Sequence, residues 1–177
     1  TRRSSDLCDA TLKRMNRKYD SARYYESVTL LREHFDRPGI TTDLIVGFPG
    51  ETEEEFDQTL DFVRRCAFSA MHIFPYSRRS GTPAASMPGQ VPKAEKEARA
   101  RRAAAVAEEL RAAWLERYRA DCLTLGRTVR LLRAGGEEEA FAEAVDDTFA
   151  LVVRHADGSR EAVSSGEVSV RGLLGYV

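Results

Sequence analysis

The residues best placed to do chemistry form one short loop, residues 47–51, which reads Gly-Phe-Pro-Gly-Glu and lies between an apolar run and a helical pattern. Its first glycine leaves the main chain open to a ligand, and its proline and second glycine make the loop rigid before anything binds. Glu51 and the glutamates that follow Thr52 already offer carboxylates to the free N–H groups of the next helix, so a polyphosphate would be repelled. The loop therefore favours a neutral or cationic ligand, such as an adenosyl sulfonium. An ordinary strand-to-helix turn would need the same two glycines, and that alternative stays open.

Basic side chains gather at three other places along the chain. These clusters are Lys13, Arg14, Arg17 and Lys18; Arg78 and Arg79; and Arg127, Arg130 and Arg133. If the first segment is helical, Arg14, Arg17 and Lys18 share a face, and on a strand Arg127 and Arg133 share a side. Because 27 basic and 28 acidic residues nearly cancel, the composition carries no global signature of nucleic-acid binding. Any such binding must be local.

The three cysteines, Cys8, Cys66 and Cys122, are far apart in the sequence and form neither a CxxC nor a CxxxCxxC arrangement. They predict no disulfide framework and no metal cluster, and we expect reduced thiols that are buried or partly buried. The sequence shows no signal peptide, lipidation motif or apolar run of membrane-spanning length. A cytoplasmic protein is therefore expected.

The elements that must position these residues alternate between helix and strand. A helix is predicted to begin at an Asp20 N-cap and to stop before Pro38. Its apolar stripe is Tyr24, Val28, Leu31 and Phe35. Residues 40–46 predict a strand, Thr52 begins a capping box for the next helix, and residues 70–74 predict a second strand. This order predicts a parallel βαβ unit whose two strands point their carboxyl ends at one crevice.

Two segments complete the first of two predicted domains, which spans residues 1–123. Residues 75–91 form a long loop of turn formers and cations, and long ordered loops are usually functional. A helix is predicted from residue 92 to about residue 122. The charges in its first half favour a solvated face over a functional one.

A small all-β module is predicted for the second domain, residues 124–177. Short apolar runs alternate there with turn signals. The runs are residues 129–132, 149–153 and 168–170. The clearest hairpin turn is Asp157-Gly158.

Three segments match, in order, the motifs of one enzyme family. They are residues 8–19, residues 46–53, and residues 72–85 continuing through 87–92. Together they resemble the methylthiotransferase family of radical S-adenosylmethionine (SAM) enzymes. The first and third segments look most like the branch that acts on N6-threonylcarbamoyladenosine (t6A), next to the tRNA anticodon. The resemblance is close over residues 8–123 and looser in the tail, which is similar to the small RNA-binding module called TRAM.

The resemblance implies an α/β fold: the carboxyl-terminal part of a partial (βα)6 barrel with parallel strands, followed by the TRAM-like module. Family enzymes use SAM and [4Fe-4S] clusters to insert a methylthio group at a C–H carbon, and the intact protein would be a transferase that acts on the anticodon stem-loop of tRNA. The implied cofactor contacts are Gly47, Phe48, Gly50, Glu51, Ile73 and Phe74. A substrate-side or cofactor-carboxylate role is implied for Arg14, Arg17 and Arg79, and RNA contacts are expected from Arg127 and Arg133. Arg14 and Arg17 could instead pair with acidic neighbours on a helix surface.

The chain departs from the family pattern in one main respect. The CxxxCxxC motif that holds the cluster is absent, and so are the family's amino-terminal domain and first barrel strands. We therefore expect no catalytic residue and no metal ligand in this chain, which resembles the carboxyl-terminal portion of a longer enzyme and should not perform the reaction alone. The alternatives are a sister branch that modifies isopentenyladenosine or a ribosomal protein aspartate, or a non-enzymatic RNA-binding protein derived from such an enzyme.

Overall fold

The computed structural model describes residues 8–133, 135–164 and 169–172. The chain divides into two compact units, Thr1–Arg111 and Ala112–Val177. This division falls inside a long helix, earlier in the chain than the boundary expected after residue 123. The first unit mixes helices with parallel strands and the second holds a small antiparallel sheet, as the predicted α/β class requires. Within the described ranges, no helix is both long and apolar enough to cross a membrane.

The first helix is shorter than the basic cluster that it was expected to carry. Helix α1 spans Asp9–Arg14. The chain leaves the helix after Arg14, and Asn16 takes a positive φ of 58°. Arg17 and Lys18 therefore lie beyond the helix. The condition for a face shared with Arg14, which was a helix over this whole segment, is not met.

Helix α2 (Ser21–His34) begins at Asp20 as predicted, with the Asp20 carboxylate accepting a hydrogen bond from the Arg23 N–H at 2.8 Å. Its inner face continues from Val28 to Arg32, whose guanidinium donates to the main-chain carbonyls of residues 66 and 67. Because the inner face runs through Arg32, two members of the predicted apolar stripe, Leu31 and Phe35, are exposed. The helix was predicted correctly, but half of its buried face was not.

The central βαβ unit has the predicted form. Strand β1 (Thr41–Val46) pairs in parallel with strand β2 (Ala70–Pro75), and helix α3 (Glu53–Cys66) connects them. The Thr52 hydroxyl accepts from the Glu55 N–H at 3.2 Å, and the Glu55 carboxylate accepts from the Thr52 N–H at 3.0 Å, which completes the capping box. Both strands therefore end on the same side, as the parallel order requires.

The core of the first unit lies between one face of this sheet and the helices. Its largest fully buried side chains include Phe56 and Phe68, and aromatic rings from α2 pack edge-on against Phe62. The described residues hold only two parallel strands in this unit. The partial (βα)6 barrel therefore stays a prediction.

Two helices follow β2, one inside the predicted long loop and one after it. The loop contains a single helical turn, α4 (Pro83–Ser86), and the predicted long helix is α5 (Lys93–Asp121). Most charged residues in the first half of α5 are exposed, but Arg99 is only 2% exposed. The prediction of a solvated face is therefore wrong at Arg99, which meets several carboxylates from neighbouring elements.

The second unit contains a five-stranded antiparallel sheet with the order β6-β5-β4-β3-β7. The strands are β3 (Thr128–Arg133), β4 (Gly136–Val145), β5 (Leu151–Arg154), β6 (Arg160–Val163) and β7 (Ser169–Gly172). The hairpin predicted at Asp157-Gly158 joins β5 to β6, and Gly158 has a φ of +85°. Strands β4 and β6 were not among the predicted runs, and Val168 of the last run lies outside the described residues. The TRAM-like identity of this sheet stays a prediction.

His155, directly after β5, contacts carboxylates of the two strands β4 and β6. The two ring nitrogens of His155 lie 2.6 Å from a Glu138 carboxylate oxygen and 3.1 Å from one of Glu161. Arg133 also pairs with Glu161 at 2.5 Å. Hydrogen bonding to Glu138, and then to Glu161, raises the pKa of His155.

Candidate functional site

The loop of residues 47–51 closes on itself at the carboxyl end of β1. Gly47 and Gly50 have positive φ angles of 71° and 79°, which L side chains rarely adopt. The Glu51 carboxylate turns back and accepts a hydrogen bond from the Gly47 N–H at 2.7 Å. The Gly50 N–H donates to the Gly89 carbonyl at 2.8 Å, which ties this loop to the one before α5. Hydrogen bonds within the loop and to the neighbouring loop therefore hold its shape, while its rigidity before a ligand binds stays a prediction.

A buried ion pair anchors this loop to α5. One Arg99 nitrogen donates to the Glu51 carboxylate at 2.8 Å and to the Glu51 main-chain carbonyl at 3.0 Å. The two side chains are only 3% and 2% exposed. Burial raises the pKa of the Glu51 carboxyl, while the hydrogen bonds from Gly47 and Arg99 act in the opposite direction. Glu51 is thus fully engaged with its own protein.

Lys96 of α5 lies directly over Gly47. A Cβ built on Gly47 would overlap Lys96 Cγ and would lie 3.3 Å from Lys96 Cβ. The Lys96 ammonium donates to the Tyr76 main-chain carbonyl at 2.9 Å, just beyond the end of β2. A ligand was expected to approach the main chain at Gly47, but the Lys96 side chain occupies that space.

A cavity of about 560 Å³ lies beside these strand ends, in the size range of small-molecule sites. Phe74 lines it and is 50% exposed, and its neighbour across the sheet is Ile45. Tyr76 also lines it and packs edge-on against Phe48, with ring centroids 5.3 Å apart. The Tyr76 hydroxyl is buried and has no hydrogen-bond partner among the described residues. An apolar wall with an unsatisfied hydroxyl suits a ring-bearing ligand that can hydrogen-bond, so these residues fit an adenosyl group.

The six predicted cofactor residues are divided by the structure. Phe74 lines the cavity, whereas Ile73 packs against the core on the opposite face of β2. Phe48 is buried and reaches the cavity only through its contact with Tyr76. The remaining three, Gly47, Gly50 and Glu51, are not among the residues that line the cavity; they shape the loop after β1, whose Phe48 ring contacts the cavity residue Tyr76.

The three predicted substrate arginines are also divided. Arg17 and Arg79 both line the cavity and are exposed. Arg14 instead forms an ion pair with Glu55 in the first turn of α3, and its second nitrogen donates to the Thr11 hydroxyl at 2.9 Å. Burial raises the pKa of the Glu55 carboxyl, but the hydrogen bonds from Arg14, Thr52 and Thr11 and the positive charge of Arg14 together outweigh this effect, so the net pKa is lowered. Arg14 therefore follows the ion-pair alternative.

The predicted RNA-binding arginines of the second unit have different surroundings. Arg127 is exposed and immediately precedes β3, while Arg133 at the other end of that strand pairs with Glu161. Arg130 pairs with Glu137 on the neighbouring strand at 3.3 Å. Acidic partners therefore neutralise two of the three arginines of this cluster.

Sequence reasoning missed the residues of α5 that hold the loop. Lys96 and Arg99 are three positions apart, so they share one helical face. A guanidinium flanked by alanines resembles a solvated charge in a linear sequence. The run of acidic residues at the start of α3 could have indicated them, because it holds more carboxylates than one helix end requires.

The described part of the chain holds no group of three or more His, Cys, Asp or Glu side chains that could bind a metal ion. Its three cysteines are free, with Cys8 and Cys66 buried and Cys122 partly buried, as expected. Burial raises the pKa of the Cys66 thiol to about 11. An iron–sulfur cluster therefore has no ligand set within these residues.

Two protein-family models match the chain. The radical SAM superfamily model matches residues 4–63, and the model of the biotin protein ligase C-terminal domain matches residues 124–171. Among solved structures, a biotin protein ligase from Aquifex aeolicus matches 56% of this chain and 50% of its own at 14% identity, with a TM-score of 0.32. At that TM-score the likeness carries no argument about fold or function.

Several relatives share the printed name tRNA-2-methylthio-N(6)-dimethylallyladenosine synthase. The protein of Streptomyces viridosporus is 45% identical over 129 residues, which are 73% of this chain and 24% of that relative. The protein of Acidothermus cellulolyticus is 44% identical over 135 residues, which are 76% of this chain and 26% of that relative. The protein of Mycobacterium tuberculosis strain CDC 1551 / Oshkosh is 46% identical over 129 residues. The chain thus spans about a quarter of the length of the relatives that it matches.

The superfamily match and these relatives support the predicted methylthiotransferase family and its radical SAM, iron–sulfur and tRNA-modification features. The t6A branch is not confirmed. The names of the relatives agree better with the alternative that modifies the dimethylallyl, or isopentenyl, form of adenosine.

Proposed function

We propose that this chain is part of a tRNA methylthiotransferase that uses SAM and [4Fe-4S] clusters to add a methylthio group to an N6-modified adenosine next to the anticodon. The observation that carries the proposal is the 44–46% identity to tRNA-modifying relatives over about three quarters of the chain. The loop and cavity at the carboxyl ends of two parallel strands are consistent with it, because such strand ends are where α/β proteins keep their ligands. A cytoplasmic location fits this proposal.

In this proposal, the residues of the first unit seat the adenosyl part of SAM, which supplies the radical chemistry when bound. Phe74 and Tyr76 offer an aromatic wall and a hydroxyl group without a partner among the described residues, and the loop contacts this wall through the Phe48 ring. Arg17 and Arg79 lie on the same cavity and offer cations to a carboxylate or a phosphate. The share of this chain in the reaction is to orient the reactants and to exclude water. The cluster ligands must come from outside the described residues.

For the base that is modified, the relatives favour dimethylallyladenosine. The t6A substrate is the second candidate, because residues 8–19 and 72–85 resemble that branch more closely. The two substituents differ in charge, since threonylcarbamoyl carries a carboxylate and dimethylallyl carries none. A pocket that binds one of them with paired hydrogen bonds should reject the other strongly.

The second unit is proposed to be a TRAM-like module that contacts the tRNA. Arg127 is the exposed cation best placed for a phosphate, since it lies at the start of β3 and no ion pair involves it among the described residues. The acidic partners of Arg130 and Arg133 limit the contribution of this cluster, because phosphate binding depends on the number of cations that are not neutralised. The contact is therefore expected to be weak and steeply dependent on salt.

The proposal is tested with the complete product of the gene that encodes this chain, purified without oxygen with its clusters intact and supplied with SAM, a one-electron reductant such as dithionite, and sulfide as the sulfur source. It is incubated with three tRNA preparations, which carry dimethylallyladenosine, t6A or unmodified adenosine at the target position. Mass spectrometry of the nucleosides should show the methylthio addition on one of the two modified bases. If neither base gains the group while tRNA still binds, the non-enzymatic RNA-binding alternative is correct and the proposed reaction is not.

A further inference from the structure

We infer that Arg99 is a positioning residue that holds the loop of residues 47–51 in its ligand-binding shape, with Lys96 as its companion on α5. The inference deepens the proposed function and rests on it for the identity of the ligand. It assigns a role to a helix that sequence patterns describe as solvated. The role is to fix the ends of both parallel strands from one side.

Arg99 is almost completely buried. A guanidinium that is almost completely withdrawn from water is costly unless its charge and N–H groups are matched. Arg99 meets a carboxylate from each of Glu51, Glu53 and Glu95, and it also donates to the Glu51 carbonyl. Three carboxylates and a carbonyl around one guanidinium identify a built site, in which only the Arg99 Nε–H has no hydrogen-bond partner among the described residues.

Glu51 links Arg99 to the loop. The Glu51 oxygen that binds Arg99 is the same oxygen that accepts from the Gly47 N–H, at 2.8 Å and 2.7 Å respectively. Without Arg99, this buried carboxylate would lose its counter-charge and would leave the interior or take up a proton. In either case the Gly47 hydrogen bond would weaken.

The two strand ends are joined from α5. Lys96 packs its stem over Gly47 after β1 and donates its ammonium to the Tyr76 carbonyl after β2. One face of α5, with Lys96 and Arg99 on successive turns, therefore touches both strand ends that border the cavity. A shift of this helix would change the shape of the proposed site.

Arg102 provides a matched control on the same helix. It too forms ion pairs with two acidic residues of α3, Glu53 and Asp57. Its side chain is 44% exposed, and no contact links it to the loop of residues 47–51 within the described structure. Changing Arg102 therefore removes comparable charge pairs without touching the loop.

The test of positioning is hydrogen exchange at the Gly47 amide of the complete gene product, which compares Arg99→Met, Arg102→Met and the unchanged protein. Arg99→Met should speed exchange of the Gly47 amide about tenfold or more, which corresponds to the loss of a charge-assisted hydrogen bond. Arg102→Met should leave this amide unchanged. If Arg99→Met does not fold, Arg99→Lys keeps the cation but not the double contact, and it should show a smaller increase at the same amide. Equal exchange in the foldable Arg99 variant and in Arg102→Met would overturn the inference.

The test of the ligand link is SAM binding by the complete gene product, measured by calorimetry. Arg99→Met should weaken binding, and Arg99→Lys should restore part of the affinity, while Arg102→Met should bind like the unchanged protein. If Arg99→Met speeds hydrogen exchange at the Gly47 amide but leaves the SAM affinity unchanged, Arg99 does not position the loop for the ligand. If the unchanged complete product binds no SAM, the proposed function fails, and the exchange data still decide whether Arg99 holds the loop.

Discussion

Gly47→Ala gives the sharpest check on the packing at the loop, because the two costs of the added methyl group can be separated. The first cost is backbone strain, since a φ of +71° costs a non-glycine residue about 1–2 kcal/mol. The second is steric, since the new Cβ would overlap Lys96 Cγ, and overpacking of this kind costs about 1–3 kcal/mol. The free energy of unfolding should therefore fall by about 3 kcal/mol in total, measured by urea denaturation.

Two further variants separate these costs. Gly81→Ala has a similar φ of +82°, and nothing described lies within 4 Å of its new Cβ, so it should cost only the backbone strain. In a Lys96→Ala background the overlapping atoms are gone, and Gly47→Ala should then cost about as little as Gly81→Ala. If Gly47→Ala costs no more than Gly81→Ala in the unchanged background, Lys96 does not fill the space at Gly47 and the reasoning is refuted.

Three other predictions concern the Thr52 cap, the His155 ring and the buried Cys66 thiol. Thr52→Ala should lower the free energy of unfolding by about 1 kcal/mol because it removes the N-cap of α3, and Thr52→Ser should lose little; equal losses in urea denaturation would contradict this. Because the folded pKa of His155 is raised, its stabilising effect is present below pH about 6.5 and is lost as the pH rises through the folded pKa. The urea midpoint should therefore fall between pH about 6 and about 8, and His155→Asn should flatten this dependence. The Cys66 thiol, with its pKa raised to about 11 by burial, should react with iodoacetamide at pH 8 more slowly than Cys122, as peptide mass spectrometry would show.

The fold of the first unit was predictable where local signals agree with one another. The capping box at Thr52, the apolar run before Gly47 and the strand order each have a short-range cause, and the structure has all three. The inner face of α2 was predicted only in part, because Arg32 takes a place that hydrophobicity assigned to Leu31 and Phe35. Arg32 lies on the inner face because it donates to main-chain carbonyls more than thirty residues away, and the linear sequence does not reveal these hydrogen bonds.

Strand β4 shows why the second unit was harder to predict. Its first half is a run of glutamates, which are uncommon in strands, and only cross-strand partners such as Arg130 make that pairing favourable. The candidate site had the same difficulty. The loop was evident from its glycines, whereas Lys96 and Arg99 become neighbours of it only after about fifty residues of chain have folded back.

We propose that this chain forms part of a tRNA methylthiotransferase whose adenosyl site includes the loop of residues 47–51. The most direct measurement is nucleoside mass spectrometry of total tRNA from the source organism, with the gene intact, deleted, and restored with or without Arg99→Met. We predict that one 2-methylthio nucleoside disappears on deletion, returns with the intact gene, and returns only in part with Arg99→Met. An unchanged set of methylthio nucleosides after deletion would contradict the account.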